Sequence, residues 1–226
     1  LIDLGKRAST EMQKSLALMR KRAKTLRDLE SRGNVAPGRL EALAKKQQSS
    51  LMACYPDTAN AKVGSVSTYL ADVVLPEIVG SDKKVLIFGH HRVMLDGIEN
   101  IVAKQLKKRQ RHIRIDGSTP SADRHRYVKR FQEDERTRVA VLSMHAAGTG
   151  LTLTKASCVI FAELTWNPGI IRQCEDRAHR IGQTKSVTYV DLMVPGTVDE
   201  KIVKALRSKI DIANEVLGEE LKDWLI

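Results

Sequence analysis

The residues best suited to chemistry lie between Gln173 and Gln183, in the run Gln173-Cys174-Glu175-Asp176-Arg177-Ala178-His179-Arg180-Ile181-Gly182-Gln183. Asn167 is a good helix N-cap, Pro168 suits the first helical position, and Gly182 suits a stop just past the end. On a helix between them, Gln173, Arg177 and Arg180 stand at i, i+4 and i+7 and project from one face. Cys174, Ala178 and Ile181 repeat that spacing one residue later, as an apolar stripe for packing. A guanidinium offers a planar fork of donors matched to phosphate oxygens and stays charged at any working pH. The spacing fits a phosphate clamp, and equally an ordinary charged face paired with Glu175 and Asp176. The rest of the chain has to decide.

The chain has 226 residues, enough for one large domain or a domain with a helical appendage. Aromatic residues make up only 4%, so the core must be mainly aliphatic, and a net charge of +11 favours polyanions as partners. Cys54, Cys158 and Cys174 form no CxxC pair and read as reduced thiols of an intracellular protein. The histidines show no HxxxH or HExxH spacing, so no metal site is expected. No apolar run approaches the roughly 20 residues of a membrane span, so no membrane partner is expected either. The start, Leu1-Ile2-Asp3, has neither a signal-peptide pattern nor a start methionine and reads as a piece of something longer.

From about Arg7 to Arg32 the apolar positions Ala8, Met12, Leu16, Met19, Ala23 and Leu26 follow a helical period. Gly33-Asn34 breaks it, and Pro37-Gly38 opens a second helical stretch through Leu51. This helical hairpin is either a structural appendage or a surface that also touches DNA. Pro56-Asp57 is read as a boundary.

Beyond it, short apolar runs alternate with helical stretches. The runs are 85–89, 112–115, 139–143, 158–162 and 187–194. The helices fall at 62–79, 93–106, 122–132 and, last, 198–217. Asp116 to Pro120 is read as a turn that also caps the helix after it. Such βα repeats predict a parallel sheet covered by helices on both faces, with ligands outside the carboxyl ends of the strands. His90-His91, Asp116-Gly117-Ser118, the glycine-bearing loop His145 to Gly150, and the loop through Trp166 converge on that edge. Gly148-Thr149-Gly150 can bring backbone N–H groups close to an anion, or simply make a tight turn. No GxxxxGK[ST] occurs, so the chain cannot hold ATP and Mg²⁺ in the P-loop manner by itself.

In chain order, Lys84-Val-Leu-Ile-Phe-Gly-His-His91, Arg114-Ile-Asp-Gly-Ser-Thr119, Val141-Leu-Ser-Met-His-Ala-Ala-Gly-Thr-Gly-Leu-Thr152 and Gln173 to Gln183 resemble motifs IV, IVa, V and VI of the second RecA-like lobe of Snf2-family ATPases. The resemblance covers about residues 60–217, and the His179-Arg-Ile-Gly-Gln183 ending is characteristic of that family. Phe161-Ala-Glu-Leu-Thr-Trp-Asn-Pro-Gly169 and the Ala146-Ala147 form of motif V look most like the fork-remodelling branch, to which HARP-type annealing helicases belong. Most chromatin remodellers carry a second glycine in motif V.

The resemblance implies an α/β fold: a RecA-like helicase C-terminal lobe at 59–197, preceded by the hairpin as a helical insertion at 1–58 and followed by a bracing helix at 198–226. It implies ATP and Mg²⁺ held between this lobe and an N-terminal RecA-like lobe of the same protein, with Arg177 and Arg180 as arginine fingers. Gln173 would hold phosphate or water, and Gly148 and Gly150 would shape a loop coupling the nucleotide to DNA. The DNA partner would be duplex or forked, met by His90, His91, Ser118, Thr119, Ser143 and His145. Trp166 either wedges against DNA or is a half-buried core residue. The basic run Lys107 to Arg111 is either a solvated helix end or a further DNA contact.

No stable homo-oligomer is implied, and the location is intracellular and DNA-associated: the nucleus, or a bacterial or viral counterpart. The alternative reading is a non-catalytic DNA-binding or docking module that kept the fold. An RNA helicase of the related superfamily is the third.

Overall fold

The structure, a computed structural model, describes residues 37–106, 110–147, 150–194 and 197–217, together with Ala17, Lys21, Lys24 and Asp28. Those four positions are helical and exposed. The seam assigned to 8–26, the Gly33-Asn34 break, the cluster Lys107 to Arg109, and Gly148 lie outside the described residues.

Among the described residues, five strands form one all-parallel sheet: β1 (Val85–Gly89), β2 (Arg111–Ile115), β3 (Thr137–Ser143), β4 (Cys158–Phe161) and β5 (Thr188–Asp191), in the order β2-β3-β1-β4-β5. The three inner strands are the apolar runs of the sequence, as strands covered on both faces must be. Alternate residues supply two cores. Leu86, Phe88, Ala140, Leu142, Val159 and Phe161 face one way, with Phe88 and Phe161 stacked at 5.5 Å. Val85, Ile87, Val139, Val141 and Ile160 face the other.

The helices are α1 (Pro37–Tyr69), α2 (Leu75–Gly80), α3 (Arg92–Gln105), α4 (Ser121–Glu133), α5 (Met144–Ala147), α6 (Pro168–Glu175) and α7 (Val198–Leu217). Residues of α1, α4, α6 and α7 pack on the first core, and residues of α1, α2 and α3 on the second.

Two expectations about the N-terminal half give way. Pro56 does not end a helix: α1 runs through it and continues by a π-helical turn, Leu70–Val74, into α2. Proline removes one helical hydrogen bond. Cys54, Tyr55, Thr58, Ala59 and Lys62, all buried, anchor the helix on either side of it. In addition, Met52–Gly80 is by length and composition apolar enough to cross a membrane, contrary to the reading of the sequence. Its buried residues Val66, Leu70, Val74, Leu75 and Ile78 pack on the sheet.

The helix also carries a buried charge. Lys62 Nζ donates to Asp199 Oδ2 at 2.8 Å and to the Leu192 carbonyl at 2.9 Å, tying α1 to the start of α7. Asp199 further accepts the Val194 N–H at 3.1 Å. None of the three cysteines is in a disulfide; Cys54 and Cys174 are buried and Cys158 is half-buried.

Candidate functional site

Asn167 caps α6 as its sequence suggests, its side chain accepting the Gly169 N–H at 2.9 Å, with Pro168 in the first turn. The helix then ends at Glu175, seven residues before Gly182, so Gln173, Arg177 and Arg180 do not share one helical face. The N–H groups of Ala178 and His179 both turn to the Glu175 carbonyl, at 3.0 Å each, which tightens the last turn. The Arg177 carbonyl instead accepts from Leu153 N at 2.9 Å, so a long-range contact draws the chain out of the helix. The apolar stripe fails with it: Cys174 and Ala178 are buried, but Ile181 is fully exposed.

The arginines are nevertheless anchored. Arg177 Nε donates to the Gln173 carbonyl at 2.8 Å and its Nη1 to the Leu151 carbonyl at 3.4 Å. Arg180 Nη1 donates to Thr152 Oγ1 at 3.2 Å. Both guanidiniums keep N–H groups beyond these contacts with described residues. Arg180 and Gln173 are exposed, and Arg177 is half-buried. Among the described residues the nearby ion pair runs from Asp176 to Arg172, at 3.4 Å, rather than to either of these arginines.

Gln183 closes the segment, Nε2 donating to the carbonyls of Ala156 (2.8 Å) and Ala178 (3.2 Å). Gly182 between them has φ +104°, and Gly150 has φ +74°. Both values suit a residue without a Cβ. The loop at 145–150 begins with the single helical turn α5 rather than as open loop, and Cys174 Sγ of α6 lies 4.0 Å from the Met144 carbonyl of α5. Beside Cys174, burial pushes the Glu175 carboxyl up to about 7, helped by Asp191 and Asp176 and opposed by Arg172.

The carboxyl ends of the strands carry a second cluster. Gly89 pairs with Ser143, which sets the His90-His91 loop beside α5. The rings of His90 and His145 lie 4.8 Å apart, and those of His90 and His91 4.7 Å apart. Tyr55 of α1 packs on His90 (5.0 Å), His91 (4.5 Å, edge-on) and Trp166 (6.5 Å), and its hydroxyl donates to the Leu164 carbonyl. His145 is exposed, His90, His91 and Trp166 are half-buried, and Ser143 is buried. Burial lowers the His90 imidazole to about 4, with His91 and His145 adding to the effect and Glu163 opposing it.

Ser118 and Thr119 stand apart, since β3 separates β2 from β1. There Asp116 Oδ1 accepts from the Ser118 N–H (2.9 Å) and hydroxyl (2.6 Å), and Thr119 Oγ1 accepts the Asp116 N–H (3.0 Å). Arg114 braces this turn through Asp116 (2.9 Å), Glu99 (2.7 Å) and Asp96 (2.7 Å). The turn also supplies the N-cap of α4, as expected: it ends on Pro120, whose carbonyl accepts the Asp123 and Arg124 N–H groups at 3.1 Å each, with no side-chain hydrogen bond at the cap.

Two residues of this edge escaped the sequence reading. Glu163 has 1% of its surface exposed, and its Oε2 accepts the N–H groups of His90 (2.7 Å) and His91 (2.9 Å). Its Oε1 takes a hydrogen bond of 2.6 Å from His91 Nδ1. Burial alone would raise this carboxyl, but the hydrogen bonds from His91 and His90 hold it below the usual carboxylate range. The signal for it was an acidic residue just past an apolar strand. Tyr55 gave no signal, because it precedes Pro56. At the opposite, amino edge of the strands lies a polar cavity of about 340 Å³, whose lining includes Lys84, Arg138, Lys155 and Gln183.

The model of the helicase conserved C-terminal domain matches residues 68–182, just over half the chain, including β1 to β4. The chain belongs to that family. It is 44% identical over 174 residues to the SWI/SNF-related matrix-associated actin-dependent regulator of chromatin subfamily A-like protein 1 of Xenopus laevis, covering 77% of this chain and 17% of the relative. It is also 44% identical over 164 residues to the DNA annealing helicase and endonuclease ZRANB3 of Mus musculus, covering 73% of this chain and 15% of the relative.

Among solved structures, the C-terminal part of the Fun30 ATPase domain aligns with TM-score 0.55 and 32% identity, over 65% of this chain and 45% of that one. These relatives place the helicase C-terminal domain described here in the Snf2 group, as its motifs indicated, with a RecA-like α/β fold. The domain spans about a sixth of the length of these two curated relatives.

Proposed function

We propose that this helicase C-terminal domain is the second ATPase lobe of an ATP-driven duplex DNA translocase, of the fork-remodelling or annealing kind. In this reading an N-terminal lobe of the same protein contributes the P-loop, and the nucleotide lies between the two. The observation that carries it is the anchoring of Arg177 and Arg180 on the motif V segment at Leu151 and Thr152, with guanidinium N–H groups still available outward. Two fixed guanidiniums, that of Arg177 held also by the Gln173 backbone carbonyl, suit a phosphate chain in donor type and charge. MgATP, when bound, supplies the transferable phosphoryl group and the metal that offsets its charge.

Arg177 and Arg180 then stabilise the charge that develops on that group, an effect of about 10³ to 10⁵ in rate for an arginine finger. Gln173 holds a phosphate oxygen or the attacking water. Gly148 and Gly150 would shape the loop that couples the nucleotide to DNA. Duplex or forked DNA runs along those ends and is held chiefly through its phosphates. His90, His91 and His145 line the middle of this path, Ser118 and Thr119 its far end, and Ser143 lies beneath it. Trp166 flanks it, its indole half-buried against Tyr55.

The three-part division of the chain, with an insertion before residue 59 and a brace after 197, belongs to the same reading, as do a nuclear or other DNA-associated location and the absence of a stable homo-oligomer. Alone, the lobe is inactive because it has no P-loop. The test joins it to an N-terminal lobe and measures DNA-stimulated ATP hydrolysis with and without Arg180→Ala. Stimulation that falls at least 10³-fold with the substitution is the expected result. Undiminished hydrolysis refutes the finger role. Absence of hydrolysis in both forms favours the non-catalytic docking module.

A further inference from the structure

The Glu163 contacts fix more than the shape of a loop. An ionised carboxylate has no proton to give, so the 2.6 Å hydrogen bond at His91 Nδ1 requires the hydrogen to sit on Nδ1. That leaves Nε2 as the remaining ring nitrogen of a side chain that is 19% exposed. In the neutral ring Nε2 carries a lone pair, which a phosphate oxygen cannot approach as a hydrogen-bond acceptor. If Nε2 takes a proton from solvent, it becomes a donor, and an imidazolium then lies between the Glu163 carboxylate and the phosphate.

We propose that Glu163 is a positioning residue that presents His91 to a DNA phosphate, and that duplex binding takes up one proton at His91 Nε2. This inference rests on the reading of the strand ends as the DNA path. The groups around His91 leave it as the site of uptake. His90, 4.7 Å away, is held neutral by burial, and Tyr55, 4.5 Å away, keeps its phenolic proton because burial raises it and the hydroxyl is bonded to the Leu164 carbonyl. His145 meets His90 rather than Glu163. The balance is simple: one solvent proton is bound, one N–H···O bond to phosphate forms, and no covalent bond of the nucleic acid breaks.

Calorimetric titration of the 226-residue chain with a duplex oligonucleotide, in buffers of different ionisation enthalpy at one pH, counts the protons taken up. The expected count is about one for the wild type and near zero for His91→Gln and Glu163→Gln, with affinity lowered about tenfold in His91→Gln. In Glu163→Gln the amide oxygen can still accept both backbone N–H groups, while the amide NH₂ donates to Nδ1. The ring is then driven to its Nε2–H tautomer, which ¹⁵N NMR of His91 reads directly. A purely structural Glu163 would leave the proton count of Glu163→Gln at the wild-type value. DNA binding without proton uptake, or a wild-type Nε2–H tautomer, overturns the proposal. No DNA binding by the folded wild-type chain overturns the DNA-path reading beneath it, a result distinct from binding without uptake.

Discussion

Lys62→Met tests the account of how α1 is held to the lobe. The substitution keeps most of the side-chain volume and removes the ammonium. It leaves the Asp199 carboxylate, 1% exposed, with the Val194 N–H as its remaining contact from the described loop, and it leaves the Leu192 carbonyl without its donor. Removing one partner of a buried ion pair costs about 3–5 kcal/mol. Asp199 lies in the first turn of α7, where the helix dipole favours a negative charge, so the low end of that range applies, about 3 kcal/mol.

Lys62→Met combined with Asp199→Asn removes both charges while keeping an acceptor for Val194 N. It should therefore cost less than the single lysine change, giving a coupling of about 2 kcal/mol. Urea unfolding of the chain measures both, and at a slope of about 2 kcal/mol per M the single change lowers the midpoint by about 1.5 M. A single-mutant loss under about 0.5 kcal/mol, or an additive double mutant, refutes the reasoning.

Two further outcomes follow from the arginine segment. The Glu175 carboxyl is raised to about 7 in the folded chain, so that state binds more protons than the unfolded one between about 4.5 and 7, and stability falls as pH rises through that window. Glu175→Gln should remove this slope and stabilise the chain at pH 8 by at least about 1 kcal/mol, as urea titrations at pH 5 and pH 8 would measure. Gly182→Ala meets no atom within 4 Å, so its cost is that of forcing φ +104° on an alanine, about 1–3 kcal/mol, read as a lowered melting temperature. An unchanged melting temperature would mean that the turn relaxes to another conformation.

The sheet was legible because its strands announce themselves. Val85–Gly89 and Val139–Ser143 are continuous apolar runs, and burial on both faces leaves a parallel strand little other pattern to show. The last helix was equally plain, since Val198, Ile202, Val203, Leu206 and Ile210 repeat at helical spacing. The fold class and the motif order could therefore be read directly.

What could not be read depended on partners distant in the chain. Nothing in Asp176-Arg177-Ala178 disfavours helix; it is Leu153 N, bonded to the Arg177 carbonyl, that competes for the backbone. Pro56 looks like a stop until the burial of Tyr55 and Ala59 on either side is seen. Glu163 is one acidic residue among many until the fold brings two histidine N–H groups and a ring nitrogen onto it.

The unbroken run from Pro37 through the π-turn to Gly80 makes a rod of about 65 Å at 1.5 Å per residue. Its second half is bolted to the sheet, while the described side chains from Gly38 to Ser49 face solvent. Among the described residues the grip is on that second half, so the helix can act as a lever arm, turning a small rotation of the lobe into a displacement of several ångströms at Pro37. Whatever is attached there is carried by the stiffness of the helix, and two glycines inserted near residue 50 would act as a clutch, leaving the lobe's own folding intact while uncoupling the outer end from its motion.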